Sequence, residues 1–319
     1  MSNFNNYVGI DVAKADFYAC FNEQDQPRTF NNTPAGVRGF LSFLRANDCL
    51  PRTTQIGLES TGPYHYPLSF ACAKKGYTVN IINPLITHAY NKTTVRRTKT
   101  DKKDATLIRY VLTQGAGYPF VETHDTLILK NLVRERVYLS VMKRDVQRKA
   151  TDIQYKEAII HRPITNVNQE IVALLGEKMK VINRQLKHYK TQEQILLQTI
   201  PGLGPTTAAA LIAEITDIHR FKTPKHFTAF LGLDPRTHQS GSSIHGKGYI
   251  TKRGNNILRT LFYNCANVAI QRPNTFQKFY QKKVSEGKPK MVALIAATHK
   301  LTKVAYAVWK TNTPFDPSH

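Results

Sequence analysis

Negative charge is scarce in this chain. Its 319 residues include 22 Asp plus Glu against 45 Lys plus Arg, so the formal net charge is +23. An excess of this size indicates a polyanionic partner such as nucleic acid. No apolar run approaches the roughly 18 residues that a membrane span needs, and the first residues have no charged-then-apolar signal pattern. We therefore expect no membrane partner and a place in the cell interior.

Cysteine is also rare. The four residues Cys20, Cys49, Cys72 and Cys265 are scattered, without the paired spacing of a zinc site or a disulfide framework. This usage indicates a reducing compartment, the cytoplasm. Hydrophobic residues at 41% and charged residues at 21% are ordinary for a globular protein that buries a core.

The residue pattern changes twice along the chain and so marks three consecutive regions. Residues 1–120 read as hairpin-like strands followed by strand–helix units, which predicts an α/β domain with a mixed sheet of the ribonuclease H type. Residues 121–197 repeat apolar side chains every three or four positions and break at Pro163, which predicts a helical hairpin or coiled-coil spacer. Such a spacer packs either on its own domain or against a second copy. Residues 198–319 predict a mainly α domain with a Gly-rich centre.

Four acidic residues occupy predicted strand ends and a predicted helix start, positions from which a fold can bring their side chains together. Asp11 ends a first strand in VGIDVAK, and Glu59 ends a later strand in IGLEST. Asp101 and Asp104 lie three apart at the start of a helix in RTKTDKKDAT, on one face. Four carboxylates crowd together only around a cation, and oxygen ligands suit Mg²⁺ or Mn²⁺. The alternatives are helix N-caps and a solvated charge run.

Basic residues surround Asp101 and Asp104 in the sequence. We expect this stretch to hold a nucleic-acid backbone, because its side chains suit phosphate and lie beside the predicted metal ligands. The expected contacts are Arg96, Arg97, Lys99, Lys102 and Lys103.

A Pro-Gly-x-Gly turn opens the last third of the chain in IPGLGPTTAAALIAEI. An apolar residue, this turn and a following helix are typical of a helix-hairpin-helix element. In such an element Gly202 and Gly204 permit close approach of the backbone, and the helix amides bind a DNA phosphate. The alternative is a plain turn between packed helices.

A loop rich in Gly, Ser and His follows in HQSGSSIHGKGYITKRGN. Nearby positive charge lowers the cost of a serine alkoxide, so one of Ser240, Ser242 and Ser243 is a candidate nucleophile for a phosphodiester. The residues alone do not choose among the three, and an ordinary loop is the alternative. The basic residues here that suit phosphate are Lys247, Lys252 and Arg253.

These motifs occur together in the order of a known family. VGIDVAK, IGLESTG, the NP of IINP, TDKKDA, IPGLGPTTA, FLGLDP, SGSS and the KRGN–LR segment resemble the DEDD transposases of insertion sequences, the insertion-sequence one-ten group of bridge-RNA-guided recombinases. The resemblance covers residues 7–316. It implies a RuvC-like N-terminal domain, a coiled-coil spacer and a C-terminal transposase domain with a catalytic serine.

The resemblance also implies roles for single residues. The family's metal ligands fall on Asp11, Glu59, Asp101 and Asp104, and its serine, first in the SGSS motif, falls on Ser240. In the family this serine attacks DNA and forms a covalent phosphoserine link beside bound Mg²⁺.

Partners follow from the same resemblance. A non-coding bridge RNA of the element pairs with donor and target DNA and selects the sites. Homodimers pair into a homotetramer, in which the serine of one protomer completes the site of another. This implies action in the bacterial cytoplasm or nucleoid. Gln239 precedes the serine where some relatives carry an acidic residue, a departure from the family pattern.

The sequence thus predicts an RNA-guided DNA recombinase and transposase. A RuvC-like nuclease or junction resolvase that uses water needs the carboxylates but no serine, and a trapped protein–DNA adduct separates the two. An ATP-handling protein also begins with a GID strand, but VAKAD lacks a Gly-rich phosphate loop. A non-catalytic nucleic-acid-binding protein would bind without metal and would cut nothing.

Overall fold

The computed structural model describes residues 4–21, 26–60, 62–93, 101–161, 167–236 and 249–317. The chain divides into two compact units, Met1–Val121 and Glu122–His319. The first unit mixes strands and helices and the second is mainly helical, which agrees with the predicted α/β plus α composition. The further division of the second unit at residue 197 stays a prediction.

The N-terminal unit is built on a six-stranded mixed sheet. In chain order its elements are β1 (Asn6–Val12), β2 (Asp16–Cys20), β3 (Arg28–Asn31), α1 (Pro34–Ala46), β4 (Thr54–Glu59), α2 (Tyr66–Lys74), β5 (Thr78–Ile82), α3 (Pro84–Thr93), α4 (Asp101–Thr113) and β6 (Tyr118–Pro119). The strand order is β3-β2-β1-β4-β5-β6. β1, β4 and β5 are parallel, whereas β2, β3 and β6 run antiparallel to their neighbours. This arrangement is consistent with a RuvC-like sheet.

The central strand β1 is covered on both faces. Val8 and Ile10 are fully buried on one face. The other face carries Gly9, where a Cβ would lie 2.1 Å from the backbone N of Arg109 and 2.4 Å from the carbonyl O of Ala105, both in α4. A glycine is therefore required at this position for α4 to pack this closely on the sheet.

An aromatic cluster fills the face of the sheet that α1 covers. Phe17 of β2 stacks on Phe30 of β3 with ring centroids 5.5 Å apart, and Phe40 of α1 meets Phe17 edge-on at 5.4 Å. α1 begins where the Thr33 side chain caps its first turn and Pro34 occupies the first helical position. α1 and α4 thus lie on opposite faces of the sheet.

The C-terminal unit packs its helices around one short buried helix. Its elements are α5 (His124–Ile160), α6 (Val167–Leu186), α7 (Gln192–Leu197), α8 (Pro205–Ile215), α9 (Pro224–Phe230), β7 (Pro235–Arg236), β8 (Tyr249–Ile250), α10 (Asn256–Ala269), α11 (Thr275–Ser285) and α12 (Lys290–Thr311). α8 is buried continuously from Thr207 to Ile215. The core around it takes side chains from α5, α6, α9, α10 and α12.

Among the described helices, α12 alone has the length and mean hydropathy of a membrane span, and half of that window is buried inside the unit. Ala297 and Leu301 are fully buried in it. Lys300 and Lys303 interrupt its apolar sequence. We therefore interpret α12 as a core helix of the C-terminal unit.

Three local features differ from the sequence predictions. α3 and β6 were not predicted, because α3 is a helix of ten residues that begins at Pro84 directly after β5, and β6 has only two residues. The segment 232–252, predicted as a loop, contains the strands β7 and β8, which pair antiparallel.

Candidate functional site

Asp11 and Glu59 stand side by side at one edge of the sheet. Ile10 of β1 pairs with Leu58 of the parallel strand β4, so Asp11 and Glu59 are the next residues along two neighbouring strands. Parallel strands in register point such residues to the same face, and the strands lie about 4.8 Å apart. Both side chains are partly exposed. The predicted meeting of these two carboxylates at the strand ends is therefore compatible with the sheet register.

α4 packs on β1 close to Asp104. The Arg109 side chain donates a hydrogen bond from Nε to the carbonyl O of Tyr7 at 3.1 Å. A Cβ at Gly9 would meet the carbonyl O of Ala105 and the backbone N of Arg109. The turn of α4 that contacts β1 therefore begins at Ala105, the residue after Asp104, and Gly9 lies two residues before Asp11 along β1.

Thr87 is a contact of Glu59 that the sequence analysis missed. The buried Thr87 hydroxyl lies 2.8 Å from Glu59 Oε2 and 3.0 Å from the carbonyl O of Pro84. The NP motif explains its position, because Asn83 Oδ1 accepts a hydrogen bond from the Leu85 amide at 2.9 Å and Pro84 begins α3. The motif thus starts the helix that carries Thr87 to Glu59.

Asn32 joins the two loops that follow the acidic strand ends. Its Nδ2 donates to the carbonyl O of Ala13 at 2.9 Å and to the carbonyl O of Tyr64 at 3.1 Å. Ala13 follows β1 and Tyr64 follows β4. One amide side chain therefore fixes the separation of the chain segments behind Asp11 and Glu59, and no sequence motif pointed to it.

The chemistry of the donor set fits a hard divalent cation, because carboxylate oxygens are the ligands that Mg²⁺ and Mn²⁺ prefer. Among the side chains that the structure describes, no group of three or more His, Cys, Asp or Glu is spaced to hold a metal ion. The side chain of Asp101 is outside that set, and its backbone begins α4. Metal binding by the four acidic residues stays a prediction.

The predicted phosphate contacts divide into described and undescribed residues. Lys102 and Lys103 are exposed on the first turn of α4, and Lys252 and Arg253 are exposed after β8. The remaining predicted contacts Arg96, Arg97, Lys99 and Lys247 lie outside the described residues, as do the serines Ser240, Ser242 and Ser243.

The two ends of the segment 237–248, which contains the candidate serines, are tied together. Pro235 of β7 pairs with Ile250 of β8. Just outside this pair, Thr251 Oγ1 donates to Asp234 Oδ1 at 2.6 Å. The described residues on either side of the segment therefore lie next to each other.

The Pro-Gly-x-Gly turn connects α7 to α8. Gly202 has φ of 84°, and a Cβ there would lie 2.4 Å from the carbonyl O of Cys265 in α10. Gly204 is the N-cap residue of α8, and a Cβ there would meet nothing within 4 Å. Gly202 is thus required by packing, whereas the surroundings of Gly204 leave the start of α8 accessible. The predicted phosphate contact of this turn stays a prediction.

Glu214 is a buried carboxylate in α8 that the sequence analysis did not single out. Its side chain is 2% exposed and accepts hydrogen bonds from Arg134 Nε at 2.6 Å and Arg134 Nη2 at 2.9 Å. Asn255 Nδ2 donates to the same carboxylate at 2.8 Å. These contacts link α5, α8 and the start of α10. Only long-range packing joins them, so no local signal was available.

Known proteins resemble both units. The DEDD transposase profile of the IS110 group matches residues 8–153, and the profile described as "Transposase IS116/IS110/IS902 family" matches residues 194–281. A "Pilin gene-inverting protein" of Moraxella bovis is 34% identical over 318 residues, which is 97% of each chain. Its namesake from Moraxella lacunata is 33% identical over 317 residues, again 97% of each chain. The transposase of IS1328 from Yersinia enterocolitica is 24% identical over 339 aligned positions, 97% of this chain and 98% of the relative.

These matches define a DEDD transposase, an enzyme class that recombines DNA. The chain belongs to the IS110 family of transposases.

Proposed function

We propose that this transposase cuts and rejoins donor and target DNA through a covalent serine–DNA intermediate in which Ser240 is the nucleophile. The observation that carries the proposal is the SGSS motif of a chain that belongs to the IS110 family. The Ser240 Oγ–phosphorus bond forms as the phosphorus–oxygen bond to one DNA end breaks. The serine proton leaves with the DNA hydroxyl, and attack by another DNA hydroxyl reverses the step. Each exchange thus conserves a phosphoester, so no ATP is needed.

The acidic residues Asp11, Glu59, Asp101 and Asp104 would hold Mg²⁺ or Mn²⁺. When bound, the metal supplies positive charge that stabilises the phosphate oxygens in the transition state. The register of Asp11 and Glu59 and the packing of α4 on β1 next to Asp104 support this assignment. The Thr87 contact would hold one oxygen of the Glu59 carboxylate in place.

Guide RNA would choose the DNA sites by base pairing, and the protein would hold phosphate backbones. The net charge of +23 supports a large polyanionic partner in the bacterial cytoplasm. The proposed contacts with DNA or RNA are Arg96, Arg97, Lys99, Lys102, Lys103, Gly202, Gly204, Lys247, Lys252 and Arg253.

A second copy of the chain would cover the apolar side chains that α5 and α6 expose. Tyr155 is 71% exposed, Ile159 is 60% exposed and Leu174 is 56% exposed. Exposed apolar side chains concentrated on one helical hairpin indicate an interaction surface. A homodimer through this hairpin, and a homotetramer made of two dimers, fit a reaction that handles two DNA molecules.

Inversion of a DNA segment is a second candidate outcome of the same chemistry. The two Moraxella relatives, which cover 97% of this chain, are named for the inversion of a pilin gene. Cutting and rejoining yields inversion when two sites lie head to head on one molecule, and insertion when they lie on separate molecules.

A joining assay with purified protein, the guide RNA and two marked DNA sites tests the proposal. We expect joining by the wild type in Mg²⁺, loss of joining in Ser240→Ala, and loss in Asp11→Asn or Glu59→Gln. Joining by Ser240→Ala would contradict the serine assignment, whereas unchanged joining by Asp11→Asn would contradict the metal site. Placing the sites head to head on one plasmid measures inversion in the same reaction.

A further inference from the structure

The KRGN motif, residues 252–255, forms a tightly held turn between β8 and α10. Lys252 has φ of 55°, in the left-handed region that a lysine rarely adopts, and its amide donates to the carbonyl O of Gly232 at 3.1 Å. At Gly254 a Cβ would lie 2.4 Å from the carbonyl O of Phe230. A non-glycine residue keeps such a backbone conformation only where its surroundings impose it. The turn is therefore pressed against the end of α9 in one conformation.

Asn255 ends this turn, and three of its hydrogen bonds hold the turn and the start of α10 in place. Its backbone amide donates to the carbonyl O of Phe230 at 2.8 Å. Its Oδ1 accepts from the Leu258 amide at 3.0 Å and so caps α10. Its Nδ2 donates to Glu214 Oε2 at 2.8 Å. One side chain thus fixes both the end of the turn and the beginning of the helix.

The buried carboxylate of Glu214 orients Asn255 more than it stabilises the fold. Arg134 approaches it with two nitrogens from α5, and Asn255 approaches from the other side. Well-packed apolar residues often replace a buried ion pair without loss of stability. What the carboxylate provides is a fixed acceptor for Asn255, and through Asn255 a fixed path for the preceding turn.

A second brace acts on the same turn. Arg259 of α10 places Nη1 3.1 Å from the carbonyl O of Leu231 and 3.3 Å from the carbonyl O of Lys252. The backbone of the turn is thereby held from α9 and from α10, while the side chains of Lys252 and Arg253 are exposed. A rigid backbone with two exposed cationic side chains suits a phosphate, because little loop entropy is lost when the contact forms.

We infer that Asn255, oriented by Glu214, is a positioning residue that fixes the KRGN turn and so presents Lys252 and Arg253 to a phosphate of the nucleic-acid substrate. The inference rests on the proposed function for the identity of the substrate. It does not require Ser240, because the contact forms on binding, before any strand is cut.

Matched cap variants test the inference. Asn255→Ser keeps a good N-cap residue on α10 but is too short to reach Glu214 as well. Asn274→Ser makes the same change at the N-cap of α11, where Asn274 accepts from the Phe276 amide at 2.7 Å. We expect similar small losses of thermal stability in both variants. Only Asn255→Ser should weaken binding of a labelled non-specific DNA duplex.

The salt dependence of that binding gives the size of the effect. Loss of one phosphate contact reduces the steepness of the plot of log affinity against log salt concentration by about 0.9. If the contact contributes nothing at 1 M salt, its loss lowers the affinity about eightfold at 0.1 M salt. Lys252→Asn removes the charge directly, and asparagine tolerates the left-handed backbone. We expect Lys252→Asn and Asn255→Ser to lower the slope by similar amounts.

A combined variant decides whether Asn255 acts through the turn. Asn255→Ser added to a Lys252→Asn, Arg253→Gln protein should weaken binding by no more than about twofold, because the side chains that Asn255 positions are already gone. Unchanged affinity in Asn255→Ser, an equal loss in Asn274→Ser, or a full additional loss in the combined variant would overturn the inference. A Ser240→Ala protein that joins DNA would defeat the proposed function and leave these binding results intact.

Discussion

Gly9→Ala is the substitution that most directly probes how β1 and α4 pack. The added Cβ would lie 2.1 Å from the backbone N of Arg109 and 2.4 Å from the carbonyl O of Ala105. Ordinary contacts of a Cβ begin near 3.4 Å. Both neighbours are backbone atoms, so no side-chain rotation relieves the overlap, and α4 must move by about 1 Å or more.

The size of the effect follows from the cost of overpacking. Forced insertion of a methyl group into a packed core costs about 1–3 kcal/mol, and a backbone–backbone contact places Gly9→Ala near the upper end. For a unit of this size, about 2–3 kcal/mol corresponds to a melting temperature lower by roughly 8–12 °C. Displacement of α4 also shifts Asp104, the residue before Ala105, relative to Asp11 and Glu59, so we expect DNA joining to fall at temperatures where the variant is still folded.

Gly39→Ala is the matched control. Gly39 lies inside α1, and a Cβ there would meet nothing within 4 Å. Alanine in a helix interior is favoured over glycine by about 1 kcal/mol, so this variant should be more stable than the wild type. Thermal unfolding followed by circular dichroism measures both. Equal stability of Gly9→Ala and the wild type would show that α4 does not pack on β1 as described, and the convergence of the acidic residues would lose its basis.

Two further outcomes are expected. Thr87→Val removes the hydroxyl that contacts Glu59, so Mn²⁺ binding measured by electron paramagnetic resonance should weaken several-fold. Thr87→Ser keeps a hydroxyl and should restore the binding. Equal Mn²⁺ binding by the wild type and both variants would contradict the positioning of Glu59 by Thr87. Burial, and to a lesser extent the charge of Lys303, lowers the pKa of His299, so the unfolded chain takes up a proton below its ordinary pKa that the folded chain does not. Stability from this group is therefore present above about pH 6.5 and is lost as the pH falls below it. His299→Gln should flatten that part of the stability curve, and parallel curves for the two proteins would contradict the assignment.

Most of the fold could be predicted from patterns among neighbouring residues. The helix predicted to start at Asp101 is observed as Asp101–Thr113, and the strands predicted at Asp11 and Glu59 are observed as Asn6–Val12 and Thr54–Glu59. Such elements are recognised from periodicity and from capping residues, which are properties of neighbouring residues. α3 is separated from β5 by Asn83 alone, and β6 is held by pairing with β5, so neither was marked by its own residues.

In the candidate site, too, local features could be predicted and long-range contacts could not. Strand ends and helix starts are local features, so the positions of Asp11, Glu59 and Asp104 were open to prediction. The contacts that orient the site are not local, because Thr87 and Glu59 are 28 residues apart and Arg134 and Glu214 are 80 apart. Their pairing depends on the packing of whole elements, which composition and period do not encode.

Trapping the protein on DNA is the decisive test of a serine nucleophile. Wild-type protein, guide RNA and DNA labelled at the cut strand are quenched in denaturant during the reaction, and the labelled adduct is digested and mapped by mass spectrometry. We predict a peptide that carries a nucleotide on Ser240, and no adduct with Ser240→Ala or in the absence of divalent metal. Cut DNA with no attached protein at any time during the reaction would contradict it and would indicate hydrolysis by water.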